Sequence, residues 1–304
     1  MLAFPPLDPR ALRLQFDRRA ARFEQADFLL REVERRSLDR LEYVKIQPND
    51  LLDVGCGVGA GAAALAARYP RAALMAVDAS PAMAARCAAR IGQRAGIVAQ
   101  LGRLLGAASR RSPARTAHAV AADTHALPFA DARFDLLWSN LALHWFTDPL
   151  AALAEWRRVL RPQALVMFTA FGVDTLRELR AAGAQTMAFH DMHDLGDALL
   201  AAGFAEPVMD MELLTLTYPS PQRLLADVRA LGGNARADRR RGLAGRRFLA
   251  DAHAALDARR DPPDPGALTL SFEVIYGHAW VPQPSRLPPG YAPVGIVRKP
   301  TGRA

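Results

Sequence analysis

Lysine is almost missing from this 304-residue chain: of its 39 basic residues only Lys45 and Lys299 are lysine, the others are arginine, and alanine is abundant. Such a bias weakens any nucleic-acid reading of the net charge of +8 and the pI near 10.2. Cysteine is scarce as well. Cys56 and Cys87 alone provide neither a disulfide framework nor a metal-ligand cluster, so no metal and a reducing, cytoplasmic setting are expected. No apolar run reaches the roughly 18 residues of a membrane span, and Met1 to Arg10 has no signal-peptide core, so no membrane contact is expected. The chain also has no GxSxG turn, no paired zinc motif and no catalytic-cysteine context, which argues against covalent and zinc-assisted hydrolysis. From Ala79 to Ala122 there is no acidic residue, against seven arginines: Arg86, Arg90, Arg94, Arg103, Arg110, Arg111 and Arg115.

What the chain does have is 51% hydrophobic content, enough for a full core, and one distinctive stretch, Leu51-Leu52-Asp53-Val54-Gly55-Cys56-Gly57-Val58-Gly59-Ala60-Gly61. An apolar run, an acid and alternating glycines read as a buried strand turning sharply into a helix. Glycine tolerates positive φ and has no Cβ, so a nucleotide can approach the backbone there, and the following helix offers free N–H groups. The pattern fits both the dinucleotide fingerprint GxGxxA and the first motif of S-adenosylmethionine methyltransferases.

The rest of the chain supplies the context. Leu12 to Leu41 carries an amphipathic helical pattern, an N-terminal arm over residues 1–49. Strands are expected at Ala73–Asp78, Ala119–Asp123, Phe134–Asn140 and Ala164–Phe171, alternating with helices at Ala60–Tyr69, from Ser80-Pro81, and from Asp148-Pro149 to Leu160. This alternation predicts an α/β, doubly wound, mainly parallel sheet over a core at 50–172. Asp78 closes the second strand 19 residues beyond Gly59, where a carboxylate can accept both ribose hydroxyls of a nucleoside. Gly92 to Thr116 lacks a clean period and reads as a long basic connection. Residues 173–219 are expected to hold helices at Asp174–Ala182 and Asp194–Ala202 and a sixth strand at Glu206–Tyr218. Arg223 to Arg260, with Arg239-Arg240-Arg241 and Arg246-Arg247, reads as a basic helical insertion at 220–267, placed to act as a lid. A seventh strand, Leu268–Val281, precedes a Pro-rich tail within 268–304.

LLDVGCGVG, VDASPAM, AADTHALPFADARFDLLWSNLALHW and EWRRVLRP resemble the successive motifs of class I, Rossmann-like methyltransferases. SNLALHW together with FTAFGVDTLRELR, FHDMHDLGDALLAAGF, PVMDMELLTLTY and FEVIYGHAW is similar to the malonyl-acyl-carrier-protein O-methyltransferase family of biotin synthesis. The resemblance covers about Phe16 to Trp280. It implies S-adenosyl-L-methionine as cofactor, with Gly55, Gly57 and Gly59 at its methionine end, Asp78 at the ribose, Asp123 at the adenine amino group, Phe23 covering it, and Asp53, Cys56, Ala79, Met83, Thr124 and Ser139 as further cofactor-binding residues. Asn140 and His144 are placed near the transferred methyl. Two positions depart from the family: the turn after the long helix is Arg161-Pro162-Gln163-Ala164 where proline-glycine-glycine is usual, and Phe23 stands where a tyrosine is common.

A carboxylate acceptor is anionic at pH 7 and needs no general base, which agrees with the missing nucleophile–base pairs. Such a site needs a cation or donors for the malonyl group, and the candidates are His144, Arg177, His190, His193 and Tyr218. The implied partner is malonyl-acyl carrier protein, whose acidic surface suits the arginine-rich segments. Two other functions fit the same core: methylation of another carboxylic acid or a quinone precursor, and an assembly factor or hydroxylase that binds the cofactor without transferring its methyl. A nucleic-acid methyltransferase does not fit, because Asn140 lies in Ser-Asn-Leu-Ala and there is no Pro-Cys nucleophile.

Overall fold

A computed structural model describes residues 5–104, 116–239, 246–258 and 268–284. Its centre is a seven-stranded sheet in the order β3-β2-β1-β4-β5-β7-β6. The strands are β1 (Asp50–Val54), β2 (Ala73–Asp78), β3 (Ala117–Ala121), β4 (Phe134–Ser139), β5 (Leu160–Phe171), β6 (Ala205–Tyr218) and β7 (Leu268–Trp280). The first five run parallel, and β7 inserts antiparallel between β5 and β6. Reversal of strand order beside β1 opens a crevice at the carboxyl ends of β1 and β4.

Local sequence explains most elements. Central strands are continuous apolar runs because helices cover both faces: every residue of Leu51–Val54 is buried, as is Leu136–Ser139. Edge strand β6 instead alternates half-buried and exposed positions along most of its length. Aspartate or serine caps followed by proline open four of the helices: Asp8 accepts from Ala11 N–H before Pro9, Ser80 from Met83 N–H before Pro81, Asp148 from Ala151 N–H at the start of α5 (Pro149–Val159), and Ser220 from Arg223 N–H at the start of α8 (Pro221–Ala230). The remaining helices are α1 (Pro9–Arg19), α2 (Phe28–Leu41), α3 (Ala60–Arg68), α4 (Pro81–Leu104), α6 (Arg177–Ala181), α7 (Met192–Ala201) and α9 (Arg246–Asp257).

Four expectations need correction. The N-terminal arm is not one helix: α1 stops at Arg19, and a 3-10 turn at Ala20–Gln25 directs Ala20 and Phe23 onto Val58 and Met83, which a straight continuation would carry them past. The basic connection from Gly92 is helical as far as Leu104, where α4 continues despite Gly92, Gly96 and Gly102 and the missing period; residues 105–115, with Arg110, Arg111 and Arg115, lie outside the described residues. The run from Arg223 is not a single helix. It breaks after α8 at Gly232 and Gly233, whose φ values of +137° and +63° suit glycine, with the Trp145 ring packed where a side chain of Gly232 would stand. Arg240 and Arg241 fall outside the described residues. Finally, Arg161 to Ala164 forms no free turn, because β5 begins at Leu160 and Gln163 itself takes φ +64°.

The segment after α8 reaches back to the chain start. Asp8 N–H donates to Ala235 O at 3.0 Å and Ala237 N–H to Pro6 O at 2.8 Å, so the arm and the insertion meet as two short extended pieces.

Candidate active site

The glycine turn leaves β1 with Gly55, Gly57 and Gly59 all at positive φ, +76°, +52° and +82°. Their reasons differ. A Cβ on Gly55 would collide with that of Ala142, and one on Gly59 would lie 2.7 Å from Cys87 Sγ and 2.8 Å from its Cα, so these two glycines let the turn press on its neighbours. Around Gly57 nothing lies within 4 Å of that position, which leaves open space beside the backbone. Gly57 N–H also donates to Asp78 Oδ2 at 2.9 Å, and Ser80 N–H to Asp78 Oδ1 at 2.8 Å, so the end of β2 is tied to the turn. Burial pushes the Asp78 carboxyl up to about 6, against the lowering effect of these two N–H groups.

A cavity of about 620 Å³ opens here, a size suited to a cofactor-scale ligand. Phe16, Phe23, Trp145, Phe146 and Phe171 give it aromatic walls, with Phe16 edge-on to both Phe23 and Trp145. Five acids line it: Asp27 just before α2, Glu34 of α2, Asp53 of β1, Asp78 of β2 and Asp123 after β3. Burial raises Asp53 to about 7 and Glu34 to about 8. Cys56 also lines the cavity, but its thiol is pushed well up by its hydrogen bond with the Cys87 thiol and by burial, so it is no nucleophile.

His144 is buried at the opposite wall, between Trp145, Phe171 and Phe189. Burial lowers it to about 3. It is therefore neutral at pH 7. Its Nδ1 accepts from Phe171 N–H at 3.4 Å, which leaves the proton on Nε2. Asn140 is spent on the scaffold: Nδ2 donates to Leu30 O at 3.1 Å, while Oδ1 accepts from Thr169 Oγ1 at 2.7 Å. Its side chain thus bolts α2 to β5.

Of the residues singled out from sequence, Phe23, Asp53, Gly55, Cys56, Gly57, Asp78, Ala79, Met83, Asp123, Thr124, Asn140 and His144 all line this cavity. The Asp123 carboxylate already accepts from His125 N–H at 2.9 Å and meets His125 Nδ1 at 3.1 Å. Gly59 and Ser139 do not line it: Gly59 serves helix packing, and the buried Ser139 hydroxyl donates to Val54 O at 2.9 Å. Nor do four of the proposed carboxylate holders. Arg177 pairs with Asp174 and Glu178, and the exposed His193 with Asp191 at 2.7 Å. His190 and Tyr218 are buried elsewhere, lowered and raised respectively by that burial, Tyr218 to about 12. His144, named among residues that could serve as a cation or as a hydrogen-bond donor, is neutral, which leaves it the second of these roles.

Sequence reasoning missed the arginines that do reach the cavity: Arg31 of α2, paired with Asp27, and Arg10 and Arg13 on α1. The latter two concern the anion. Both are exposed, and among the described residues neither has a carboxylate within ion-pair distance. Their spacing of three gave a helical face but no sign of what that face meets. Glu34 was missed as well, one acid in an Arg- and Glu-rich helix that reads as solvated. Among the described residues no His, Cys, Asp and Glu are grouped to hold a metal ion, and no helix is long and apolar enough to cross a membrane.

The donor set fits S-adenosyl-L-methionine on the structure's own terms: a backbone cradle without a Cβ at Gly57, a strand-end carboxylate at Asp78, and buried acids for a cationic ligand. Comparisons with known proteins agree. Residues 52–168 match the family model described as a methyltransferase domain. Among solved structures, the YcgJ protein from Bacillus subtilis shares the fold, with a TM-score of 0.53 and 14% identity over 82% of this chain and all of that one. A malonyl-[acyl-carrier protein] O-methyltransferase from Methylovorus sp. is 43% identical over 95% of this chain and 94% of its own length. One from Laribacter hongkongensis is 44% identical over 90% of each. The chain belongs to the malonyl-[acyl-carrier protein] O-methyltransferase family and carries the class I methyltransferase fold.

Proposed function

We propose that this enzyme transfers a methyl group from S-adenosyl-L-methionine to the free carboxylate of malonyl-acyl carrier protein, giving the methyl ester that primes pimeloyl synthesis for biotin. The observation that carries the reading is one cavity lined by the Gly57–Asp78 cradle, by a neutral buried histidine and by two arginines that carry no ion pair among the described residues. Phe23, Asp53, Gly55, Gly57, Asp78, Ala79, Met83, Asp123 and Thr124 are assigned to the cofactor, which when bound supplies a methyl group on a sulfonium already activated for displacement. We assign 50–172 to the cofactor core and 220–267 to a lid, and place the protein in the cytoplasm.

The chain's own task is then to orient an anion and keep water away. Malonyl's terminal carboxylate is ionised at pH 7 and attacks without a base. Arg10 and Arg13 draw it to the mouth, and His144 Nε2–H steadies it with one neutral hydrogen bond. A neutral donor suits the step, because the carboxylate loses its charge on becoming an ester and a buried cation would favour the reactant over the transition state. Aromatic walls exclude water that would compete as acceptor. Asn140 contributes by fixing α2 against β5. The acidic carrier surface suits the arginine-rich segments, and the arm and insertion that meet at Asp8 and Ala235 are the elements at its entrance. The test is methyl transfer to malonyl-acyl carrier protein beside malonyl-coenzyme A and unloaded carrier, with base-labile product on the malonyl carrier expected.

A further inference from the structure

Helix α1 sits on the body with little to hold it. None of its residues is buried, although Arg10, Arg13 and Phe16 line the cavity. The chain before it is tied to the insertion by the backbone bonds of Asp8 with Ala235 and of Pro6 with Ala237. At its far end, among the described residues, the long-range hydrogen bonds come from one side chain, Asp17. Its Oδ1 accepts from the Ser80 hydroxyl at 2.5 Å and from Ala82 N–H at 3.2 Å. Ser80 is buried, and it is the hinge of this arrangement: its Oγ caps α4 by accepting from Met83 N–H at 3.2 Å, while its own N–H donates to Asp78 Oδ1 at 2.8 Å. Asp78, Ala79, Ser80 and Pro81 all line the cavity. The Asp17 charge also stands close enough to Asp78 to add to the raising effect of burial on that carboxyl. One short segment, 78–82, therefore holds the arm through Asp17 and presents Asp78 to a ligand.

We propose that Asp17 is a positioning residue: it seats α1 on the segment that carries Asp78, so that cofactor binding docks the arm and brings Arg10 and Arg13 into place for the malonyl carrier. This rests on the reading of the cavity as the site of both substrates. A helix with no buried residue leaves its seat at small cost. A ligand that engages Asp78 orders segment 78–82, and Asp17 then meets two donors already fixed, so a single ordering cost serves both contacts. The coupling is reciprocal, and a seated arm strengthens cofactor binding by the same factor.

The experiment is limited trypsin digestion of the full chain, read by mass spectrometry at Arg10, Arg13 and Arg18, with and without saturating S-adenosylhomocysteine. Cleavage there reports the population of the unseated arm. In the wild type the ligand is expected to slow it about tenfold, the low end for a hydrogen bond to a charged group, and in Asp17→Ala not at all. Asp17→Ala is also expected to bind S-adenosylhomocysteine about tenfold more weakly and, at saturating cofactor, to raise KM for the malonyl carrier about tenfold with kcat unchanged. Asp17→Asn is expected to restore all three, because both donors fall on one oxygen, which an amide supplies equally well. Equal protection of wild type and Asp17→Ala, no protection of a wild type that binds the ligand, an unchanged KM, or an asparagine variant no better than alanine would overturn the assignment. If Asp17→Ala does not fold, the wild-type and asparagine digests decide between these outcomes. If the wild type does not bind S-adenosylhomocysteine, the cofactor reading of the cavity fails first, and this inference with it.

Discussion

Replacing Asp78 by asparagine separates what that carboxylate does for the fold from what it does for a ligand. In the fold it is costly: its carboxyl is raised from 3.8 to about 6, so the group binds a proton more tightly folded than unfolded. The stability it contributes is complete below about pH 4 and is lost as pH rises to about 6, a loss of about 2 kcal/mol once its partial exposure is allowed for. Asparagine escapes this cost but offers a single acceptor to two donors, Gly57 N–H and Ser80 N–H, and its NH2 must face one of them. That mismatch costs about 1–3 kcal/mol. The two effects offset, and Asp78→Asn is expected to keep its melting temperature within about 4 °C of the wild type at pH 7.5. Ligand binding has no such offset. Losing one charge-assisted hydrogen bond to a ribose hydroxyl removes about 2.5 kcal/mol, or roughly 70-fold in affinity for S-adenosylhomocysteine. Calorimetry beside thermal unfolding reads both quantities. Unchanged affinity would refute the ribose assignment, and a collapse in melting temperature would refute the balance of terms.

The glycine turn predicts a contrast. Gly59→Ala drives a Cβ into Cys87 and is expected to cost more than about 3 kcal/mol in urea unfolding; Gly57→Ala meets no atom, so it costs only about 1–2 kcal/mol of backbone strain while abolishing cofactor binding. Glu34→Gln removes an acid raised from 4.5 to about 8, whose stability contribution is lost as pH climbs between those values. It is expected to stabilise the free protein by about 3 kcal/mol at pH 7 and by nothing at pH 4, read from chemical unfolding at both. Gln163→Gly relieves a left-handed backbone at φ +64° far from the cavity and is expected to add about 0.5–1 kcal/mol with unchanged ligand affinity. Arg10→Ala with Arg13→Ala is expected to raise KM for the malonyl carrier about tenfold while leaving S-adenosylhomocysteine affinity as it was.

The sheet could be read from the chain because its signals are local. Leu51–Val54 and Phe134–Ser139 are apolar on both faces, and glycine, aspartate and proline punctuate them, so strand positions and the convergence of Gly55, Asp78, Asp123 and Asn140 followed from neighbouring residues alone. What escaped depends on distant contacts. The break at Ala20–Gln25 is set by where Val58 and Met83 lie, although the apolar period runs on unbroken through Leu41. Arg177 and His193 carry the right chemistry in the wrong place, and Arg10 and Arg13 differ from the chain's many other arginines only in what their helix faces. Asn140 lines the cavity, but its use as a bolt between Leu30 and Thr169 joins residues 110 positions apart on one side and 29 on the other.

The most direct test of the central claim is the transfer of radiolabelled methyl from S-adenosyl-L-methionine to malonyl-acyl carrier protein, with free malonate, malonyl-coenzyme A and unloaded carrier alongside. Base-labile label on the malonyl carrier, absent from unloaded carrier, is the result predicted. Measurable cofactor binding with no label on the malonyl carrier would contradict it.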